Sequence, residues 1–310
     1  MSDAPAPPRG VGVGVLLVVG SCMSLPFGAA VATTIFPALG SWGVTGIRVL
    51  IAALVVLLIA RPRVTRWDRK KWIAAALFGV AMAFMNGTYY AALDRIPIGA
   101  AVAIEFLGPL VLAAVLTRRL LDAVWVGVAL LGMALLGVDA LIGSAALDPI
   151  GVLFALAAAA FWVFYIRMGA RVSALLPGTE GLAMSLAVAA VLLLPFGIPA
   201  TAKAVQDPDI LLLALVTAVL ASVIPYTLEL AALRRLPQRL FGILLSLEPV
   251  FATIAGVLVL HQSTTPLRLA AVALVVIASI GVTAGSRPRR GAGGQELPPP
   301  MTGGISVIPD

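Results

Sequence analysis

Charged residues, histidine and cysteine are all scarce in this sequence, and each scarcity excludes a class of protein. Only 11% of the 310 residues are charged, which is too little polar surface to cover a soluble fold. The single cysteine, Cys22, excludes an internal disulfide. With the single histidine, His261, it also excludes a zinc site of Cys and His ligands. We therefore expect no metal and no cofactor.

The motifs of common enzymes and ATPases are missing as well. Neither GxxxxGK[ST] nor HExxH occurs, so the sequence predicts neither ATP hydrolysis nor a zinc protease, and we expect no enzyme. The net charge of +7 could indicate a nucleic-acid partner. The basic residues, however, lie in short clusters between apolar runs and form no continuous face, so we expect no nucleic acid.

Long apolar stretches dominate what is present, because 61% of the residues are hydrophobic. A membrane-spanning helix needs about 20 apolar residues, and stretches of that order lie at 11–36, 42–60, 72–93, 97–116, 122–141, 150–168, 179–199, 210–232, 239–260 and 266–284. They lack the period-2 alternation of a membrane barrel, and backbone groups in lipid must pair internally. The fold class predicted is an all-α membrane protein with ten transmembrane helices.

The N-terminus allows a second interpretation, a cleaved signal peptide. Arg9 precedes the first apolar run, and Ala30-Val31-Ala32 fits a small-x-small cleavage pattern. The run continues to Phe36, which is long enough to span, so we predict a retained first helix.

Lysine and arginine predict the orientation. With the N-terminus inside, seventeen of the 21 basic residues fall in cytoplasmic segments, and only Arg95, Lys203 and Arg268 fall outside. Cytoplasmic loops of membrane proteins carry this excess. We expect a multi-pass protein of the bacterial inner membrane with both termini cytoplasmic, including residues 1–10 and a Pro- and Gly-rich disordered tail at 285–310.

An internal repeat supports the count of ten. Shifted by 140 residues, Ala91–Pro97 (AALDRIP) aligns with Ala231–Pro237 (AALRRLP), and Pro109 aligns with Pro249 without a gap. The unit holds five helices, so the second copy must be inverted in the membrane. The sequence therefore predicts two inverted five-helix repeats, at 11–141 and 150–284.

Inverted repeats are the common architecture of secondary transporters, since two copies facing opposite ways can open a shared site to each side in turn. The alternatives are a duplication that built only a scaffold, and a membrane receptor that transports nothing. Flux measured in vesicles separates these alternatives from a transporter.

Two carboxyl groups lie near the predicted middle of the membrane. Glu105 and Glu248 each sit beside a proline, Pro109 or Pro249, that frees a backbone carbonyl. Ionisable residues in spans are costly and are functional by default. Both are predicted to carry a coupling proton, and the alternative is a structural carboxyl tied to a neighbouring helix.

A further set of polar and aromatic residues is predicted to line a substrate site. Arg48 could hold a substrate carboxylate bidentately or reach outward to the interface. Glu229 could bind substrate or pair with the Arg234 region. The aromatic members could instead form an interfacial belt. The predicted substrate-binding set is Arg48, Asn86, Tyr89, Tyr90, Trp162, Tyr165, Tyr226 and Glu229.

Four segments resemble the threonine/homoserine exporter branch of the drug/metabolite transporter superfamily. They are Ala101–Pro109 (AVAIEFLGP), Ile224–Glu229 (IPYTLE), Leu233–Pro237 and Phe241–Pro249 (FGILLSLEP). The resemblance runs over 11–284 and implies two EamA-type halves that export amino acids or similar metabolites, driven by an ion gradient. The chain departs at His261-Gln262-Ser263, where such proteins carry a Gly-Glu pair.

Together these observations predict a secondary transporter that exports small metabolites, most of all amino acids such as threonine and homoserine. Coupling to the proton gradient and alternating access are expected. The alternatives left open are import and a cargo of other metabolites or drugs. The expected partners are an amino-acid-like small molecule and the lipid bilayer, and a homodimer is compatible with the sequence.

Overall fold

The chain folds into a bundle of α-helices. A computed structural model describes residues 11–117, 120–142, 147–176, 179–233, 235–236, 241 and 244–285. Among these residues there is no β-strand. The helices are α1 (Val11–Thr34), α2 (Phe36–Leu39), α3 (Ser41–Ala60), α4 (Arg69–Leu93), α5 (Ile98–Glu105), α6 (Leu107–Thr117), α7 (Leu120–Ile142), α8 (Pro149–Leu175), α9 (Glu180–Ala204), α10 (Pro208–Ala218), α11 (Ile224–Leu233), α12 (Glu248–Leu260) and α13 (Pro266–Gly285). Of the predicted termini, residues 1–10 and 286–310 lie outside the described residues, and Gly285, the first residue of the predicted tail, is instead the last residue of α13.

The helices occupy all ten predicted spanning positions. Six helical segments of the described chain are long and apolar enough to cross a membrane, at Gly12–Thr34, Ser41–Ala60, Arg69–Leu93, Pro149–Leu175, Glu180–Ala204 and Pro208–Glu229. Shorter apolar helices occupy the other four positions, at Ile98–Leu112, Ala123–Leu135, Glu248–Leu260 and Pro266–Gly281. The predicted fold class, an all-α multi-span membrane protein, is confirmed.

The fourth and ninth spans are interrupted, which the apolar pattern alone did not predict. α5 ends at Glu105 and α6 begins at Leu107, while in the ninth span a turn at 246–247 precedes Glu248. Pro109 and Pro249 explain both interruptions, because a proline lacks the N–H that would bond four residues back and its ring crowds that carbonyl. The breaks lie at the same register of the 140-residue repeat.

Helices from the two halves pack against each other in equivalent pairs. Gly14 at the start of α1 packs against Leu236, just after α11, and Gly151 at the start of α8 packs against Ile96, just after α4. Ile96 and Leu236 are equivalent positions of the repeat. In both pairs the start of one helix meets the end of the other, as inverted copies require.

A seam between the halves lies at one end of the bundle, which we call the outer end because the predicted orientation would put it outside. At this seam α5 and α12 run antiparallel, and Gly99 lies against Thr253. The Gln262 side chain accepts a hydrogen bond from the Ile98 backbone N–H at 3.3 Å. Gln262, one of the three residues at which the sequence departs from the family that it resembles, therefore caps the first turn of α5.

An ion pair joins the halves at the same end. Arg95 donates to Asp148 at 2.8 Å, and Asp148 also accepts from the backbone N–H of Ile150 at 2.9 Å as the N-cap of α8. The bond from Arg95, and next the backbone N–H, hold the pKa of Asp148 below its ordinary value. The pair is exposed to solvent, so its contribution to stability is small.

Near the middle of the bundle α3 and α9 touch backbone to backbone. A Cβ added to Gly46 would lie 2.7 Å from the Cα of Gly197 and 3.1 Å from the carbonyl oxygen of Leu193. Backbone atoms cannot swing aside as a side chain can. The pair therefore allows the close helix approach that small residues give in membranes.

We predict that Gly46→Ala destabilises the folded protein by about 1–3 kcal/mol, because the new methyl group forces α3 and α9 apart. Gly127→Ala is the matched control, since it lies within α7 and nothing stands within 4 Å of its added Cβ. The measurement is thermal unfolding in detergent. Equal melting temperatures for the two variants would show that the contact is not tight.

Candidate functional site

Among the cations whose side chains the structure describes, Arg48 is the most deeply buried. It extends from α3, is 3% exposed, and donates through Nη1 to the Ala221 carbonyl at 2.7 Å and through Nη2 to the Asn86 side-chain oxygen. Its guanidinium lies 4.5 Å from the ring centroid of Tyr90. Asn86 donates in turn to the Met82 carbonyl at 2.8 Å, which orients its oxygen toward Arg48. Arg48 does not reach out to the interface.

The direct partners of Arg48 are all uncharged. The only ion pair within 4 Å in the described part of the chain is Arg95 with Asp148. Arg48 is instead held by a main-chain carbonyl, an amide and an aromatic face. A buried cation with neutral partners is costly in lipid, and it is suited to a bidentate anion such as a carboxylate.

Three polar atoms around Arg48 are buried without any hydrogen-bond partner among the described residues. They are Nε of Arg48 and the hydroxyls of Tyr89 and Tyr90. The Tyr89 and Tyr90 rings lie 5.8 Å apart between centroids, and the Arg48 guanidinium stands over the second of them. Buried polar groups are nearly always satisfied, so a group of unsatisfied ones calls for an explanation. All three atoms can donate, and together they would suit an acceptor ligand.

The partner of Arg48 in the second half is an irregular turn within the eighth span. Between α10 and α11 the chain forms a π-helical turn, Val219–Val223. π-helical turns are rare and occur frequently at functional sites. α1 lies directly on this turn, because a Cβ at Gly28 would come within 2.6 Å of the Ala221 nitrogen, and Ser24 donates to the Leu220 carbonyl at 2.7 Å.

The predicted coupling carboxyls lie close enough to Arg48 and to each other to interact. The buried Glu105 interacts electrostatically with Glu248, which repels it, and with Arg48, which attracts it. Glu248 begins α12 and is also repelled by Glu229 of α11. Glu229 accepts a hydrogen bond from Ser21 of α1 at 2.7 Å. Glu105 and Glu248, and likewise Glu248 and Glu229, therefore lie close enough for like charges to repel each other.

The remaining predicted residues are not all near Arg48. Trp162 packs edge-on against Phe106, the residue after Glu105, with the centroids 4.9 Å apart. Tyr165 instead packs against Phe78 at 4.8 Å, in an apolar cluster of α3, α4, α8 and α9 that does not contain Arg48. The side chain of Tyr226 lies outside the described part of the structure.

Sequence reasoning missed Ser21, Ser24 and the main-chain carbonyls of the π-helical turn. The two serines could have been found, because they are three residues apart and so lie on one face of the first apolar span. The Ala221 carbonyl could also have been found, because Pro225, four residues later, lacks the N–H that would bond to it. Among the described residues, no three His, Cys, Asp or Glu side chains form a group that could hold a metal ion.

Comparison with known proteins places the chain in a family of transporters. Residues 149–284 match the EamA-like transporter family. The threonine/homoserine exporter RhtA of Escherichia coli (strain K12) is 34% identical over 272 residues, which cover 87% of this chain and 90% of that protein. RhtA of Salmonella typhimurium (strain LT2) matches with the same identity and coverage.

A solved crystal structure shares the fold. It superposes with a TM-score of 0.56 at 20% sequence identity and covers 90% of this chain and 99% of that chain. The family match, the identity over most of the chain and the multi-span fold agree with one another. This chain belongs to the EamA-like transporter family, in the threonine/homoserine exporter branch of the drug/metabolite transporters.

Proposed function

We propose that this transporter exports small amino acids, such as threonine and homoserine, from the cytoplasm across the bacterial inner membrane. The observation that carries the proposal is Arg48, a buried cation at the centre of the bundle whose direct partners are all neutral. The relatives named as threonine/homoserine exporters support the cargo.

Arg48 binds the carboxylate of the substrate in this proposal. The guanidinium offers a planar pair of donors that matches a carboxylate, and its Nε has no other partner among the described residues. The hydroxyls of Tyr89 and Tyr90 add donors, while Asn86 keeps the guanidinium in place. Glu229 and the aromatic side chains Trp162, Tyr165 and Tyr226 complete the proposed binding set.

Glu105 and Glu248 carry the coupling proton. Each belongs to a different half, each lies beside an interrupted span, and the two repel each other when both are charged. Two like charges held close in a site of low dielectric favour binding of a proton by one of them. A proton taken up from outside and released inside would drive the amino acid outward.

Alternating access follows from the paired packing of the halves. The outer seam of α5 against α12, with Gln262 on the Ile98 N–H, separates to release the substrate. At the opposite end, the contact between α1 and Leu236, just after α11, separates to admit it from the cytoplasm, and the equivalent contact between α8 and Ile96 separates together with the outer seam. The inward-opening and outward-opening movements use equivalent contacts of the two inverted halves. The two open states therefore arise from the same rearrangement at opposite ends of the bundle.

We predict that Arg48→Lys lowers kcat/KM for threonine roughly 100-fold, because an ammonium cannot replace two parallel guanidinium donors. The measurement is exchange of labelled threonine in proteoliposomes. Arg171→Lys is the control, since this arginine near the end of α8 is exposed. Wild-type protein that exchanges no threonine would refute the cargo, and full activity in Arg48→Lys would refute the role of Arg48.

The coupling predicts that a pH gradient drives threonine uptake into inside-out vesicles, and that Glu105→Gln and Glu248→Gln each abolish this drive. Threonine exchange persists in both variants, because exchange needs no net proton movement. Glu180→Gln is the control, as this glutamate begins α9 away from the site. Uptake that ignores the gradient, or survives the double substitution, would contradict proton coupling.

The proposed orientation, with both termini cytoplasmic, can be tested by labelling, because the only cysteine is buried. We predict that in intact cells an impermeant maleimide modifies Gln206→Cys, which is exposed between α9 and α10. It should modify Lys70→Cys, exposed at the start of α4, only after the cells are opened. Labelling in the opposite order would reverse the orientation.

A further inference from the structure

Two main-chain carbonyls in the middle of the eighth span have lost their helical donors. In a regular α-helix the Leu220 carbonyl accepts from the N–H of Ile224. In the π-helical turn that N–H bonds to Val219 instead. The Ala221 carbonyl would accept from residue 225, which is a proline and has no N–H. Pro225 and the π-helical turn therefore expose two adjacent acceptors.

Both exposed carbonyls are taken by side chains from the first half of the chain. Ser24 of α1 donates to Leu220, and Arg48 of α3 donates to Ala221, each at 2.7 Å. The second of these bonds joins the cation of the site in the first half to the irregular turn in the second. Arg48 is thus held by an acceptor that a bound carboxylate would replace.

We propose that the Leu220 and Ala221 carbonyls are the subsite for the primary ammonium group of the substrate. This inference rests on the proposed function and names the part of the ligand that Arg48 does not bind. When the substrate enters, its carboxylate takes the Nη1 donor of Arg48, and its ammonium takes the Ala221 carbonyl that Arg48 leaves. The Ser24 hydroxyl oxygen and the Leu220 carbonyl accept the remaining ammonium hydrogens.

The exchange leaves no new buried polar group without a partner. One hydrogen bond between Arg48 and Ala221 is replaced by two, one to each end of a zwitterion. A ligand with a carboxylate but no ammonium would displace Arg48 and leave a buried carbonyl unsatisfied. That penalty corresponds to roughly a 10- to 100-fold loss of affinity.

The same exchange couples binding to movement of the halves. In the structure Arg48 bonds directly to the turn, and α1 is held against it through Ser24 and Gly28. A zwitterion inserted between Arg48 and Ala221 increases the separation of α3 from the turn. A ligand must carry a carboxylate to break the bond between Arg48 and Ala221. It must also carry an ammonium to bridge the gap that then opens between them. A ligand can shift a conformational equilibrium only through such differential contacts.

The test compares threonine with 3-hydroxybutanoate, which has a hydrogen in place of the ammonium and therefore no donor at that position. Each competes against exchange of labelled threonine in proteoliposomes of the full-length protein. In the wild type we expect threonine to compete roughly 10- to 100-fold better than the hydroxy acid. In Pro225→Ala the restored N–H bonds to the Ala221 carbonyl, so this carbonyl no longer binds the ammonium of threonine. Threonine should then bind more weakly, and the ratio of its competition to that of the hydroxy acid should fall to about one.

Pro195→Ala is the matched control, because Pro195 also lies inside a spanning helix but is exposed, and it should keep the wild-type ratio.

If Pro225→Ala does not fold, thermal stabilisation of the wild type by the two ligands decides, with threonine alone expected to raise the melting temperature. Equal competition, equal stabilisation or an unchanged ratio in Pro225→Ala overturns the ammonium subsite while threonine transport stands. A wild type that exchanges no threonine overturns the proposed function and this inference together.

Discussion

A main-chain carbonyl that loses its helical donor inside a membrane must find another donor within the protein, because lipid offers none. Prolines inside the spans create this demand, and in three spans the proline adjoins an interruption or an irregular turn. Pro109 and Pro249 interrupt the fourth and ninth spans beside Glu105 and Glu248, and Pro225 adjoins the π-helical turn of the eighth. Where the structure shows how the demand is met, at Leu220 and Ala221, the donors come from α1 and α3.

The position of Arg48 depends on that constraint. A guanidinium in the middle of a membrane bundle needs acceptors, and the Ala221 carbonyl is free of a helical donor because residue 225 is a proline. Asn86 supplies the second acceptor and Tyr90 an aromatic face. The cation is thereby kept in place without a carboxylate at ion-pair distance in the described residues. This arrangement leaves its charge available to a carboxylate ligand.

Glu229, one of the three carboxyls, accepts a hydrogen bond from the helix that also lies on the π-helical turn. Ser21 and Ser24, one turn apart on α1, contact Glu229 and the Leu220 carbonyl respectively. α1 therefore contacts both Glu229 and the irregular turn. A shift of α1 would change the surroundings of the carboxyls and of Arg48 together. Substrate binding and proton binding could be linked through that helix without any direct contact between the two ligands.

Much of the fold was predictable, because each signal belongs to a short segment. Apolar length, clusters of basic residues and the AALDRIP repeat predicted ten spans in two halves, and the described helices occupy those positions. The interruptions beside Glu105 and Glu248 are a local consequence of proline chemistry. Much less of the site could be predicted, since Tyr165 was grouped with Trp162 by helical spacing alone, whereas the two rings pack in different clusters.

The sequence by itself determined which segments enter the membrane and which polar residues enter with them, because partition between water and lipid depends on each segment's own composition. Tertiary structure alone decided which of those residues meet. The contact of Arg48 with Ala221 depends on the rotation and crossing of α3 against the eighth span, and close-packed small residues such as Gly28, Gly46 and Gly197 set that geometry. Residues 173 positions apart in the chain carry no local signal of that contact.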